Sequence, residues 1–421
     1  MKKLLLSSVA ICGLTLAAPA MADGHDGGVK LDLGGFYKGY LTYTDQDTAP
    51  SLEERNLDWL QTTEIHFTGE TVLDNGLTIG AHFEIEADND DDAEIEESYA
   101  YFSGAWGRLN AGAENGAAYL LQVAAPSADS NLDGIRAYVQ PVNYSIASDG
   151  LAQVFALEDT AEGAVGFVGT DGNTAGDINV TGPFNSSELF VFDYDDDVSE
   201  YSNKLTYLTP VFQGFQAGVS YAPENDDTGR ELDGVHADDV AGDYGDTYEI
   251  ALRYAGEFEG FGVTVGAGFT HSELEADVAA GTIYIEDGTN PGFQALEDTN
   301  VALDDRQSWN VGLDIDVAAF GLGVAYVEDD LGFDDGADRD TLVVGADYTN
   351  GPWKLGASYY NQDQEIFGVD ELETDRFTGG VVYTYGPGMT FRGSISYIDH
   401  ETDTLGDVDA TSVLLGTQIN F

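Results

Sequence analysis

Across 411–421 the side chains alternate, with Thr411, Val413, Leu415, Thr417, Ile419 and Phe421 on one side and Ser412, Leu414, Gly416, Gln418 and Asn420 on the other. A period of two marks a strand whose faces meet different surroundings. The opposite end of the chain reads as an address for export. Lys2 and Lys3 precede an apolar run over 4–18 and the small-residue site Ala20-Met21-Ala22, so 1–22 is expected to be a signal peptide and 23–421 the mature chain. No later segment approaches the ~18–20 consecutive apolar residues of a spanning helix. An exported chain of two-faced strands fits a closed barrel in a bilayer, because hydrocarbon can satisfy no backbone hydrogen bonds.

Read in steps of two, the chain divides into sixteen strand-like segments: 29–43, 58–71, 77–87, 94–103, 107–113, 200–209, 215–222, 246–256, 261–273, 306–319, 320–328, 339–349, 352–362, 373–385, 389–399 and 410–421. Connections alternate in length. Short ones hold turn residues, as at Asp74-Asn75-Gly76, Gly104-Ala105-Trp106, Gln213-Gly214, Glu259-Gly260, the Phe320-Gly321 junction, Asn350-Gly351 and Gly386-Pro387-Gly388. Long ones are acidic and rich in Gly and Asp: 44–57, 88–93, 114–199, 223–245, 274–305, 329–338, 363–372 and 400–409. That rhythm separates the periplasmic and extracellular ends of an outer-membrane barrel, and a soluble sandwich has no reason to keep it. The predicted fold is therefore all-β, a transmembrane antiparallel β-barrel. Within the segments, Trp309, Val311, Leu313, Ile315 and Val317 oppose Ser308, Asn310, Gly312, Asp314 and Asp316, a pattern that implies a wet interior. Phe36, Leu60 and Val343 break it on the polar face.

Charge narrows the function classes. Fifteen Lys and Arg stand against 77 Asp and Glu, a net charge of -62 that falls to about -64 when Lys2 and Lys3 leave with the leader. Such a chain has no basic face for nucleic acid and is repelled by an anionic membrane surface. Excess carboxylate is also what salt-adapted proteins carry, and composition does not separate that from a role in selectivity. The one cysteine, Cys12, lies in the leader, so the mature chain has neither disulfide nor thiolate metal site. His25, His66, His82, His236, His271 and His400 show no ligand spacing, His66 and His82 falling on separate strands. No G-x-S-x-G, H-E-x-x-H or phosphate-binding loop is present, and an enzyme is not expected. The acid runs Asp88-Asn89-Asp90-Asp91-Asp92, Asp193-Tyr194-Asp195-Asp196-Asp197 and Asp334-Asp335 are candidate Ca²⁺ sites, although Val198 stands where a calcium loop needs glycine and solvated loop charge is the better explanation. No cofactor is expected.

The chain resembles the Gram-negative general porins of the alphaproteobacterial type. The resemblance lies in the 201–221 hairpin, with Ser202-Asn203, Tyr207, Pro210, Phe212, Gly214-Phe215, Gly218 and Ser220-Tyr221, and in the 107–118 stretch beginning Gly107-Arg108-Leu109. Gly35-Phe36-Tyr37 and the terminal Phe421 complete it, so the likeness spans the mature chain. It implies a homotrimer of sixteen-stranded barrels in the outer membrane, amid lipid and lipopolysaccharide, passing small hydrophilic solutes and ions. It also implies an inward-folded third loop, here 114–199, of which 137–170 is expected to pack elsewhere or add strands.

By parity with the apolar face, Lys38, Arg108, Lys204, Arg253, Lys354, Arg376 and Arg392 point inward; facing lipid would cost about 2–4 kcal/mol each near the midplane. In the resembled family, wall cations face loop acids across an eyelet. Carried over, that makes Lys38, Arg108, Arg376 and Arg392 the basic half and Glu114, Asp129 and Asp133 the acidic half. The competing expectation pairs the cations with strand acids such as Glu64, Glu84 and Glu249. A general diffusion channel with mild cation preference is the reading that follows. A substrate-specific channel and a secreted acidic β-protein are its rivals, the second distinguished by solubility without detergent.

Overall fold

The computed structural model describes residues 28–48, 55–87, 94–143, 166–168, 192–225, 243–276, 282–286, 293–295, 303–334, 337–366, 370–402 and 407–421. The expected leader and the acidic run at 88–92 lie outside them. Sixteen period-two segments close into one antiparallel ring. In chain order its first half is β1 (Lys30–Gln46), β2 (Leu57–Val72), β3 (Thr78–Glu86), β4 (Glu94–Gly104), β5 (Gly107–Ala113), β7 (Asn203–Leu208), β8 (Phe215–Glu224) and β9 (Tyr244–Phe258). The second half is β10 (Phe261–Leu274), β13 (Arg306–Val317), β14 (Phe320–Asp329), β15 (Arg339–Asn350), β16 (Trp353–Ile366), β17 (Asp370–Gly386), β18 (Met389–Thr402) and β19 (Val408–Asn420). Each strand pairs with its neighbours in the chain, and β1 closes on β19 from Phe36↔Asn420 to Gln46↔Ala410. Phe421 extends the seam, its backbone N–H donating to Gly35 O at 3.1 Å.

The faces follow the sequence pattern inside out. Leu41, Phe67, Ile250, Val311, Leu322, Ile395 and Leu415 are exposed on the outer surface, whereas Thr206, Thr270, Ser308, Asn310, Thr341, Ser396 and Ser412 are buried within. Inner hydroxyls pair with one another, as in Thr206–Ser220 at 2.9 Å, Thr247–Ser272 at 2.6 Å and Ser396–Ser412 at 2.6 Å. Outward aromatic pairs ring the short-turn end, with Phe215–Tyr254, Phe320–Tyr348 and Trp353–Tyr383 centroids 4.7, 4.8 and 4.5 Å apart. A second ring, including Tyr221–Tyr248, Trp309–Tyr326 and Tyr359–Phe377, marks the other end. Two aromatic belts around an apolar band place the headgroup levels.

The strands outrun their expected limits toward the long loops. β16 continues to Ile366 and β17 starts at Asp370, so the expected loop 363–372 is mostly hairpin. A ladder that has left the membrane needs no apolar face, and period-two hydrophobicity therefore ends before the hydrogen bonds do. The turn expected at Phe320-Gly321 falls instead at Ala318, with φ of 58°, and Ala319. A small separate sheet, β6 (Gly166–Val168), β11 (Thr282–Glu286) and β12 (Phe293–Ala295), joins the two longest expected loops. β6 falls in the 137–170 segment for which added strands were expected; 144–165 lies outside the described residues.

Candidate functional site

After β5 the chain turns into the barrel and follows its inner wall. The short helices α1 (Ala117–Leu120) and α2 (Ser130–Asp133) lie along this path. At its start, Ala117 N–H donates to Ser220 Oγ of β8 at 2.8 Å and Ala118 N–H to Glu249 Oε2 of β9 at 2.9 Å. The path is set by glycines that face inward on β8, β10, β14 and β16. A Cβ at Gly218, Gly266, Gly323 or Gly356 would lie 3.0 Å from Ala117 Cβ, 2.7 Å from Val123 Cγ2, 2.6 Å from Pro126 Cδ and 2.5 Å from Ala128 N, respectively. Glycine is the residue that lets one backbone lie against another this closely. Near α2, Asn131 Nδ2 donates to Tyr40 Oη of β1 at 2.8 Å and to Gln418 Oε1 of β19 at 3.2 Å. The segment thus runs from β8 round to β1. A return strip over 192–202 covers it: Gln122 Nε2 donates to Tyr194 O at 2.6 Å, and Asp196 N–H donates to Gln122 Oε1 at 3.0 Å.

The apolar residues that break the polar face mark the docking points. Leu60 packs on Tyr40, Leu132, Val139 and Leu414; Val343 joins Ala125, Phe192, Tyr194 and Leu331. Phe36 meets Tyr138 of the inner segment edge-on at 5.7 Å.

Wall cations hold the same segment. Arg392 pairs with Asp129 and also donates to Gln418 Oε1 at 2.5 Å. Arg376 meets Asp133 at 3.1 Å with both side chains shielded, 1% and 2% exposed, and its guanidinium lies 4.3 Å from the centre of the Phe192 ring. Lys204 donates to the Glu114, Ser199 and Glu200 carbonyls at 2.5, 3.1 and 2.5 Å, and Arg253 donates to Gln122 O at 3.5 Å. Lys38 Nζ sits 2.8 Å over the Tyr138 ring. Arg108 donates to Asn110 at 2.7 Å, and Asn110 in turn donates to Glu114 at 2.5 and 2.8 Å. Lys354 takes a strand acid, Asp347 at 3.0 Å.

One expectation is corrected by this geometry. Arg392–Asp129 and Arg376–Asp133 do not oppose each other across a water gap; they touch, because the glycine track brings the segment against the wall. The alternative pairing with strand acids holds in part: Glu249 is the first of the charges acting on Lys204, and Lys38 acts on Glu64. Glu64 and Glu84 bond to histidines, and Glu249 receives Ala118 N–H and Ser199 Oγ–H, the latter at 2.5 Å.

The Asp193–Asp197 run is taken up by the docking interface. Asp193 accepts from Ala137 N, Asp195 and Asp197 pair with Arg136 at 3.4 and 2.7 Å, and Asp196 accepts from Thr270 and Asn310 at 2.9 and 2.8 Å. Its carboxylates do not converge on a point. Burial shifts the acids of this interface. Glu114 is pushed up to about 7 by desolvation, against the pull of Arg108 and the Asn110 hydrogen bond. Asp196 rises to about 7 by desolvation, against the Asn310 and Thr270 hydrogen bonds. Asp133 is raised by its complete burial although Arg376 opposes the shift.

A polar-walled ring crossed on its inner face by one strand-to-strand segment is the observation to compare with known proteins. The sequence profile of the Gram-negative porins matches residues 7–403. The chain belongs to the Gram-negative porin family. No curated protein matches it in sequence. Among solved structures, the anion-selective porin from Comamonas acidovorans is similar, at 14% identity and TM-score 0.57, covering 94% of this chain and 100% of that one. OmpT of Vibrio cholerae in its trimer form (12% identity, TM-score 0.55, covering 93% and 99%) is similar too. So is Salmonella typhi OmpF (15%, 0.53, 94% and 98%). At such identities these likenesses speak for the fold. Membership places this porin in the outer membrane as a barrel that forms a diffusion channel.

Sequence reasoning overlooked three features of the porin. Arg136 pins the return strip, donating to Tyr201 Oη besides its two acids. The second is the glycine track: Gly218, Gly266, Gly312, Gly323, Gly345 and Gly356 have inward parity on β8, β10, β13, β14, β15 and β16, with β9 alone between them contributing none. Third, the pairing of β2 with β3 sets His66 opposite Glu84 and Thr68 opposite His82. His66, His82 and Glu84 thereby converge although 16 residues separate the histidines in the chain and sequence spacing gives no sign of it.

Proposed function

We propose that this porin is a general diffusion channel for small hydrophilic solutes and ions, working as a homotrimer with mild cation preference after export on the leader 1–22. The observation that carries the reading is the inner segment 114–143, laid round a closed, polar-walled barrel. It narrows the path sterically. The trimer follows the family resemblance and the trimeric form of OmpT among its structural relatives. The Comamonas relative is anion-selective by description, so ion sign has to rest on this chain's own charges. Here the strongest wall cations are spent on the inner segment. Half-exposed inner charges toward the short-turn end include Glu70, Asp314, Asp316 and Asp347 against Arg108, Arg253 and Lys354, with Lys354 paired to Asp347 and Arg108 engaged by Asn110. Carboxylates at both mouths enrich cations by focusing the field.

Planar-bilayer recording tests the whole reading. Conductance should appear in steps of three, unsaturated by any one solute, with a zero-current potential in a salt gradient whose sign reports cation preference. Anion selectivity would defeat the charge argument, and block by one solute at micromolar concentration would favour a substrate-specific channel.

A further inference from the structure

The inner wall carries a cluster that channel function does not use. β2 presents Glu64, His66 and Thr68 inward, and β3 presents His82 and Glu84 beside them. Both imidazoles turn one nitrogen toward the same oxygen: His82 Nε2 lies 2.7 Å and His66 Nδ1 3.4 Å from Glu84 Oε1. Each has its other nitrogen held from outside. Thr68 Oγ1 bonds His82 Nδ1 at 2.8 Å, and Glu64 bonds His66 Nε2. The ring centroids are 5.8 Å apart with planes at 80°, so the two inner nitrogens approach from different directions. One donor atom from each of His66, His82 and Glu84 lies within 4.8 Å of the others.

We propose that His66, His82 and Glu84 bind a divalent first-row transition cation of the Zn²⁺ class, with Glu64 and Thr68 as the groups that orient the two histidines. Two imidazoles and one carboxylate are a zinc-type donor set, and a hard ion such as Mg²⁺ or Ca²⁺ would not choose the nitrogens. An outer carboxylate on one histidine and a hydroxyl on the other are what keep ligating imidazoles in place. A hydrogen-bonded buried pair would account for one of these contacts. It would not require both rings to aim at one oxygen while both far nitrogens are held. Glu96, on β4, belongs to a second convergent group with Glu64 and Glu84, so further oxygen donors are at hand. Because β2 adjoins β1, where Tyr138 of the inner segment docks on Phe36, a bound ion would add positive charge to the wall beside the constriction.

The test uses the untagged, detergent-folded protein in excess Mg²⁺, which saturates carboxylate-only sites. Co²⁺ titration should give intense visible d–d absorption of a low-coordinate nitrogen–oxygen site, saturating at about one cobalt per chain and displaced by Zn²⁺. His82→Gln and His66→Gln should each weaken binding more than about tenfold, Thr68→Val by a smaller factor, and His271→Gln not at all. Heat-modifiable gel migration certifies that each variant is folded. Should a histidine variant fail to fold, Thr68→Val, outside the donor set, still reads the site. Absence of the cobalt spectrum in the wild type, or a spectrum indifferent to His66, His82 and Thr68, overturns the assignment. Since binding is read without conductance, it stands or falls separately from the diffusion-channel reading.

Discussion

Single residues at the docking interface give the porin a pH dependence with a defined sign. Glu114 and Asp196 ionise at their ordinary 4.5 and 3.8 when undocked and near 7 when docked. Between those values the docked state holds more protons. The protonated acids therefore contribute docking stability that is fully present below about 4 and is lost as pH rises through about 7. Hydrogen exchange, corrected for intrinsic rates, should show the peptides over 117–143 and 192–202 better protected at pH 5 than at pH 8. Equal protection, or the reverse, would show that the Arg136 and Asn310 contacts outweigh desolvation. The acids were legible as loop carboxylates. Their burial was not, because it depends on residues from β10 and β13 that approach only when the ring closes.

At the scale of elements, the inner segment is held by shape as much as by charge. Strand pairing of β15, β16 and β17 leaves Gly356 flat against Ala128. Gly356→Val should push the segment off the wall at an overpacking cost of about 1–3 kcal/mol and leave the ladders intact. Limited proteolysis would then cut within 117–143 faster, with no change in the heat-modifiable migration of the barrel. Faster cutting together with loss of that migration would mean the glycine serves the strand itself. The strands were readable one by one, since alternation is local. That inward glycines line one path could not be seen until their strands were placed side by side.

For the whole molecule, the ring's inverted hydrophobicity is the property that binds it to a membrane. Ile395 points outward between the aromatic residues Phe391 and Tyr397 of β18, whereas Arg392 on the same strand points inward to Asp129. Ile395→Arg should lower barrel stability by about 2–4 kcal/mol in urea titrations of vesicle-folded protein. An unchanged midpoint would mean that this face does not meet hydrocarbon. One cation is tolerated and the other is not, three residues apart, because only the inner one finds water or a carboxylate.

Sixteen strands, their two faces, the short and long ends and the inward parity of the cations followed from the sequence alone, because each is a consequence of a pattern spanning a few neighbours. Tertiary structure decided what the inward residues touch. Arg392 reaches Asp129 across 263 positions of the chain, and His66 meets His82 only through the β2–β3 register. Closure converts such distances into contacts, and a period of two names the face of a strand without naming the partner that will cover it.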